Sequence, residues 1–295
     1  MKTEIICFGE VLWDILPDKE LPGGAPMNVA YHLQKLRHAT AMITRIGTDS
    51  YGDQLLALMQ RYGLNTAYIQ KDSTHGTGKV FASITPSMEM EYDIVYPSAW
   101  DFITPDITWE ALEDAHPAYI VFGSLASRNN VSKQALEKLL HIPGKRVLDV
   151  NLRPPHFTME HIHWLLEHAD IIKLNIGELQ EISNWYSFQG DMKSLVAQLA
   201  EKFLPEVILV TLGAEGCLLY EDGDFYEVSG HKVTVADTIG SGDALLAGYL
   251  HSRLLGSKSQ AALKYANALG ALVATKNGGC PQYDEAEIVE MMKQH

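Results

Sequence analysis

The sequence predicts an α/β fold, three layers of α/β/α around a mostly parallel central sheet with a small β-sheet lid, and three observations carry the prediction. Six short runs rich in Val and Ile, at 4–9, 41–47, 118–124, 146–151, 170–175 and 206–213, are apolar along their length, as strands buried on both faces are. Between them, 27–37, 51–63, 131–141, 158–168 and 191–203 carry apolar residues at helical spacing. Two stretches break that rhythm: 10–22 leaves the first run without a helix, and 76–103 alternates like hairpin strands. These two are expected to form the lid over one edge of a single domain spanning 1–295.

In chain order, each element has a local reason. "GGAP" at 23–26 reads either as a turn with Pro26 at the first helical position or as adjacent glycines that let a small ligand approach the backbone. "GTDSYG" at 47–52 is a tight connection into a helix, a structural feature. "NIGE" at 175–178 has the pattern of a helix cap and first turn. "TLGAEG" at 211–216 is weak alone, because Gly216 suits a β-turn. From about 241 the chain turns helical, with a long Ala-rich segment at 258–276.

Bulk composition excludes several classes of function. With 23 Lys and Arg against 37 Asp and Glu, the net charge of −14 and the lack of a basic block argue against nucleic acid as a partner. Cys7, Cys217 and Cys280 are odd in number and widely spaced, as reduced thiols of a cytoplasmic protein are. "MKTEIICFGE" makes a poor signal peptide, and no stretch nears the roughly 18 apolar residues of a membrane span.

Ligands of open α/β sheets sit beyond the carboxyl ends of the strands. Several polar groups fall there: Asp14 after the first run, then Asp149, Asn151 and Arg153, then Lys173, Asn175 and Glu178, and finally Thr211 and Gly213. Gly240-Ser241-Gly242 opens a helix, where backbone N–H groups and the dipole favour an anion. Asp243 at that mouth is, alone, a helix N-cap candidate. Beside a phosphate it acquires a second use, as the group that orients an attacking hydroxyl and takes its proton. Other chemistries fare worse. His156, His161, His163 and His168 lack the spacing of a metal site, and no G-x-S-x-G, G-x-G-x-x-G or G-x-x-x-x-G-K-[ST] frame is present.

"GGAPMNVAYHLQKL" resembles the amino-terminal signature of the ribokinase-like carbohydrate kinases, and "DTIGSGDALLAG" resembles their D-T-x-G-[AS]-G-D signature. "DVNLRPP" and "KLNIGEL" resemble intermediate motifs of the fructokinase branch, and the likeness runs nearly end to end. That resemblance implies ATP and Mg²⁺ as cofactors, with a monovalent cation in some relatives. It implies Asp243 as catalytic base, with Gly240, Ser241 and Gly242 as the anion hole. Asn175 and Glu178 would organise Mg²⁺ through water, while Thr211, Gly213, Gly216 and Asn267 would line the nucleotide site. Asp14, Gly23, Gly24 and Asn28 would hold sugar hydroxyls, Arg153 would reach the transferred phosphate or the sugar, and Lys173 a phosphate. A homodimer through the lid is implied in the same way. Met27 and Asn175 depart from the usual fructokinase pattern, which blurs the subfamily.

Within 76–103, Lys79 faces Glu89, Glu91, Asp93 and Asp101, an acidic balance that disfavours a phosphorylated sugar. Fructose is the first expectation, with 2-keto-3-deoxygluconate, another sugar or a nucleoside as alternatives. A catalytically inactive sugar sensor is the alternative of another class; survival of Asp243, Asn175 and Glu178 speaks for activity. A nicotinamide-dependent enzyme would need the glycine fingerprint missing here.

Overall fold

The apolar runs are strands in the computed structural model, which describes residues 3–84, 90–105, 109, 112, 114 and 116–294. The chain divides into two units, Met1–Pro117 with Ala126–Pro143, and Ala118–Leu125 with Gly144–His295.

The first unit contains β1 (Ile5–Phe8), β2 (Leu12–Ile15), β3 (Glu20–Gly23), α1 (Ala25–Lys35), β4 (Thr40–Gly47) and α2 (Ser50–Arg61). It continues through β5 (Ile69–Asp72), β6 (Gly78–Ile84), β7 (Met90–Ile94) and α3 (Asn130–Leu139). β1 is wholly buried and pairs in parallel with β4, Ile5 opposite Thr40, and β4 pairs in parallel with β5. The half-exposed "IQKD" of β5 carries no apolar run, so periodicity missed it.

The two rhythm-breaking stretches pair with one another as a four-stranded sheet, order β3-β2-β6-β7, in which β2–β6 is parallel and the other pairs antiparallel. Residues 85–89 of the predicted lid, Glu89 among them, lie outside the described residues. The structural reading of "GTDSYG" holds. Asp49 caps α2 by accepting from the Gly52 N–H (2.9 Å), and it also accepts from the backbone N–H and hydroxyl of Thr77.

The second unit contains β8 (Tyr119–Gly123), β9 (Lys145–Asp149), α4 (Met159–Glu167), β10 (Ile171–Asn175), α5 (Ile176–Trp185) and α6 (Met192–Phe203). After these come β11 (Val207–Thr211), β12 (Gly216–Glu221), β13 (Asp224–Ser229), α7 (Ser241–Leu254), α8 (Ser259–Ala274) and α9 (Glu285–Lys293). β8, β9, β10 and β11 lie side by side in parallel, which aligns their carboxyl ends on one rim. The antiparallel hairpin β12–β13 extends that sheet beyond β11.

Sequence reading missed this hairpin. Its signal was Asp222-Gly223 between apolar runs, both residues at positive φ as a tight hairpin turn requires. α7 is buried from Ala244 to Ser252 and packs against α8, so it is an interior helix without a polar face. Gly248 makes that approach possible, since a Cβ there would stand 3.1 Å from Ala266 Cα. No helix among the described residues is long and apolar enough to cross a membrane.

Candidate active site

The helix of the "GSGD" motif starts without a side-chain cap. Gly240 is the N-cap of α7 at φ 75°, and a Cβ there would lie 2.4 Å from Gly279 Cα, so backbone conformation and space both require glycine. Asp243 is therefore not the N-cap that its residue type suggested; it is the third residue of α7, half-buried at the helix mouth. Asp237 shapes the approach by accepting from the Ile239 and Gly278 N–H groups. Ser241 turns back on that loop: both its N–H and its hydroxyl donate to the Thr238 carbonyl (3.3 and 3.0 Å).

Strands β9 and β10 bring charge to the same place. Lys173 stands opposite Asp149 in the parallel register, and its ammonium donates to both carboxylate oxygens at 2.8 and 2.9 Å. Both residues are buried, at 7% and 3% exposure. Burial alone would lower the Lys173 pKa, but the charges of Asp149, Asp243 and Glu178 outweigh it and hold the lysine above its ordinary value. The ammonium also borders α7, since a Cβ on Gly242 would come within 3.1 Å of Nζ.

Asn175 and Glu178 form the capping box that opens α5. The Asn175 carboxamide oxygen accepts from the Glu178 N–H (2.9 Å), and Glu178 Oε2 accepts from the Asn175 N–H (2.8 Å). Glu178 Oε1 takes the Leu152 N–H at 2.9 Å, tying α5 to the chain beyond β9. Burial pushes the Glu178 carboxyl above the usual range; Lys173 pulls against that shift and Asp149 adds to it. Each of its oxygens retains a further lone-pair direction, an oxygen set that suits a hard divalent cation held at one remove through water. No cluster of three or more acidic, His or Cys ligands occurs among the described residues, and His163 bonds Tyr186 as helix-surface histidines do. Arg153 is exposed, donating to the Leu152 carbonyl at 3.4 Å, and Asn151 holds a positive φ of 40°.

Beside this cluster the second unit has a cleft of about 940 Å³. Thr211, Gly213, Gly216, Ser241, Gly242 and Asn267 line it, so the strand end, the helix mouth and the late helix converge as the motifs implied. Its volume is within the range of nucleotide-sized pockets. Gly216 is more than a turn residue: at φ 106° it opens β12, and a Cβ would strike the Val228 carbonyl at 2.0 Å. Asn267 is buried and donates to the Ser229 carbonyl (2.9 Å), which anchors the cleft wall. Residues 229–235 also line the cleft. The sequence reading missed them because it had not placed the hairpin they leave.

In the first unit, Asp14 and Gly23 belong together. A Cβ on Gly23 would lie 2.5 Å from Asp14 Oδ2, so the carboxylate rests on the glycine. Gly24, at φ 116°, is the N-cap of α1, and a Cβ there would come within 2.3 Å of the Glu10 carbonyl. Asn28 is buried in the first turn, and its N–H bonds the Gly24 carbonyl. Pro26 is the second helical residue, one place later than "GGAP" suggested. The acidic balance of the lid also needs correction. Asp101 is fully buried and held by the Arg128 guanidinium at 2.7 and 2.8 Å, so its charge is compensated from outside 76–103.

Comparison with known proteins bears on this geometry. A family model described as pfkB family carbohydrate kinase matches residues 3–286. A fructokinase of Escherichia coli is 31% identical over 267 residues, covering 85% of this chain and 84% of the relative. A fructokinase of Salmonella typhimurium is 27% identical over 297 residues, 94% and 95% of the two chains. Among solved structures, Xylella fastidiosa fructokinase with bound ATP matches with TM-score 0.87 over 99% of both chains at 23% identity. Vibrio cholerae fructokinase with fructose, ADP and calcium ion matches with TM-score 0.83 over 99% of both, also at 23%. These likenesses fix the fold as ribokinase-like, as the motif resemblance implied, with the layered α/β arrangement that the strand and helix pattern predicted. The family model, meanwhile, spans both signatures and nearly everything between them: the chain belongs to the pfkB family of carbohydrate kinases.

Proposed function

We propose that this enzyme transfers the γ-phosphate of ATP to a hydroxyl of an unphosphorylated sugar, fructose to fructose 6-phosphate, with Asp243 as the base. The observation that carries the reading is the first turn of α7, where a glycine-capped helix start, an acid at its third position and the fixed Lys173 ammonium meet. In the proposed step the sugar oxygen attacks the γ-phosphorus and the bond to the β,γ-bridging oxygen breaks. ADP leaves with the electron pair, and the hydroxyl proton passes to the Asp243 carboxylate. Backbone N–H groups at Gly240, Ser241 and Gly242 would hold the charge that develops on the phosphoryl oxygens. Of these, the Ser241 N–H must first leave the Thr238 carbonyl.

The cleft lined by Thr211, Gly213, Gly216 and Asn267 would take the nucleotide. Asn175 and Glu178 would hold Mg²⁺ through water, and the ion would neutralise phosphate charge when bound. Asp14, Gly23, Gly24 and Asn28 would hold sugar hydroxyls, with Arg153 reaching the transferred phosphate or the sugar. Fructose comes first because the relatives that cover most of the chain include fructokinases. With Asp101 compensated by Arg128, the lid is less acidic than its composition implied, and 2-keto-3-deoxygluconate is the second substrate to try. A homodimer through the four-stranded lid sheet belongs to the same proposal, and sedimentation of the purified chain tests it.

The deciding experiment is ADP release from ATP and Mg²⁺ with fructose, ribose, 2-keto-3-deoxygluconate, adenosine and fructose 6-phosphate, wild type beside Asp243→Asn. Turnover with fructose, lost in the variant, is the expected result. Turnover with another member moves the substrate and keeps the mechanism. Sugar binding without turnover makes the chain a sensor and ends the kinase reading.

A further inference from the structure

We propose that Asp149 is a positioning residue for the transfer, clamping the Lys173 ammonium beside Gly242 and Asp243 so that one fixed cation serves the first turn of α7. The inference rests on the phosphoryl-transfer reading and adds a residue that none of its motifs requires for that purpose.

Three observations carry it. Both oxygens of the Asp149 carboxylate hold the ammonium, at 2.8 and 2.9 Å, from the opposite position on the neighbouring strand. That takes away the rotational freedom a lysine ordinarily keeps. The ammonium so held lies 3.1 Å from where a Gly242 side chain would begin, so the glycine leaves the space that the cation occupies. Lys173 also feels the charges of Asp243 and Glu178, which makes it one cation among three acids, all of them within the second unit. A polyphosphate brought to three carboxylates meets repulsion on every side unless that cation stays in place.

The clamp settles which acid the lysine serves. By holding the ammonium on its own carboxylate, Asp149 keeps it from settling on Asp243. Without Asp149 the flexible stem would carry the ammonium onto Asp243 or Glu178. On Asp243 it would compete with the sugar hydroxyl for the base, so kcat should fall while sugar affinity survives.

The test is a kinetic cycle on the full chain with ATP, Mg²⁺ and the sugar that the wild type turns over. Asp149→Asn is expected to lower kcat by about 10²-fold, the usual consequence of a misplaced catalytic group, with KM for the sugar changed less than about 2-fold. Asp149→Asn in a Lys173→Met background is expected to add nothing, because Asp149 acts through the lysine. A further loss in the double variant, or an unchanged kcat in the single one, overturns the proposal. Gly242→Ala covers the case in which Asp149→Asn does not fold. Its methyl crowds the ammonium without removing a charge or a backbone N–H, and full activity there would also overturn the clamp. A wild type that phosphorylates no sugar ends the kinase reading separately. The crystal structure of Asp149→Asn then decides: Lys173 displaced from Gly242 supports the clamp, and Lys173 in place refutes it.

Discussion

Helices α1 and α7 begin alike and differ in what surrounds the beginning. Both have a glycine N-cap at positive φ, Gly24 and Gly240, and neither has a side chain capping its first turn. Six other helices are capped by Asp49, Asn129, Thr158, Asn175, Asp191 and Asp284. Each such cap is worth about 1 kcal/mol, so α1 and α7 forgo a stabilisation that this chain uses elsewhere. Against Gly242 in the first turn of α7 stands Lys173, on which the charges of Asp149, Asp243 and Glu178 act; beside Gly24 stand the Gly23–Asp14 contact and the buried Asn28. The first neighbourhood accommodates a charged phosphate only with its one cation held in place. The second suits a neutral polyol, whose hydroxyls both donate and accept.

The largest expected effect tests the α7 side. Asp243→Asn should lower kcat by at least about 10²-fold, the typical cost of losing a general base, with a circular dichroism spectrum and melting temperature close to wild type. The structure supports that separation, because Gly240 and not Asp243 caps the helix. Had Asp243 been the cap, the same change would cost stability too, and a drop in melting temperature with kinetics intact would return it to a structural role.

How much of this contrast the sequence revealed depends on the kind of signal. Apart from β5, the strands of the parallel sheet were legible within a residue or two because uninterrupted Val and Ile runs mean burial on both faces, as at Ile171–Asn175. β12 and β13 were not, because Gly216 was read as a turn residue and the half-exposed β13 after Asp222-Gly223 has no Val and Ile run. Asp243 and Glu178 were singled out by their motifs. Their environments were not legible: that Lys173 is bound by Asp149, or Asp101 by Arg128, depends on residues 24 and 27 positions apart, which only folding brings together.

The next effects compare the two glycine caps directly. Gly24→Ala places a Cβ 2.3 Å from the Glu10 carbonyl at φ 116°, and Gly240→Ala places one 2.4 Å from Gly279 Cα at φ 75°. Each should destabilise the fold by about 1–3 kcal/mol through backbone strain, seen as an earlier urea midpoint. The kinetic consequences should diverge. Gly24→Ala should raise KM for the sugar and spare that for ATP, whereas Gly240→Ala should lower kcat and weaken ATP. Identical kinetic profiles would dissolve the distinction between the two helix starts. Asp14→Asn sharpens it further, with a roughly 10-fold rise in sugar KM, the worth of a hydrogen bond to a charged group, and ATP affinity unchanged.

The smallest effect belongs to a helix capped in the ordinary way, and it supplies the control. Burial of Asp49 works against its ionisation, but bonds from Thr77 and Gly52 and the charge of Lys79 outweigh it, so its carboxyl titrates below the usual aspartate range. A folded-state value below the unfolded one, about 3.9, means stability that is present above that pH and lost as pH falls through the folded value. Below about pH 4, therefore, wild type should lose melting temperature faster than Asp49→Asn. At neutral pH, Asp49→Ala should cost about 1–2 kcal/mol with kcat and both KM values unchanged. Glycine caps cannot titrate, so the caps of α1 and α7 add nothing to that acid-dependent loss. A change in sugar KM on removing Asp49 would extend the functional surface to α2, and helix capping would no longer separate support from chemistry in this fold.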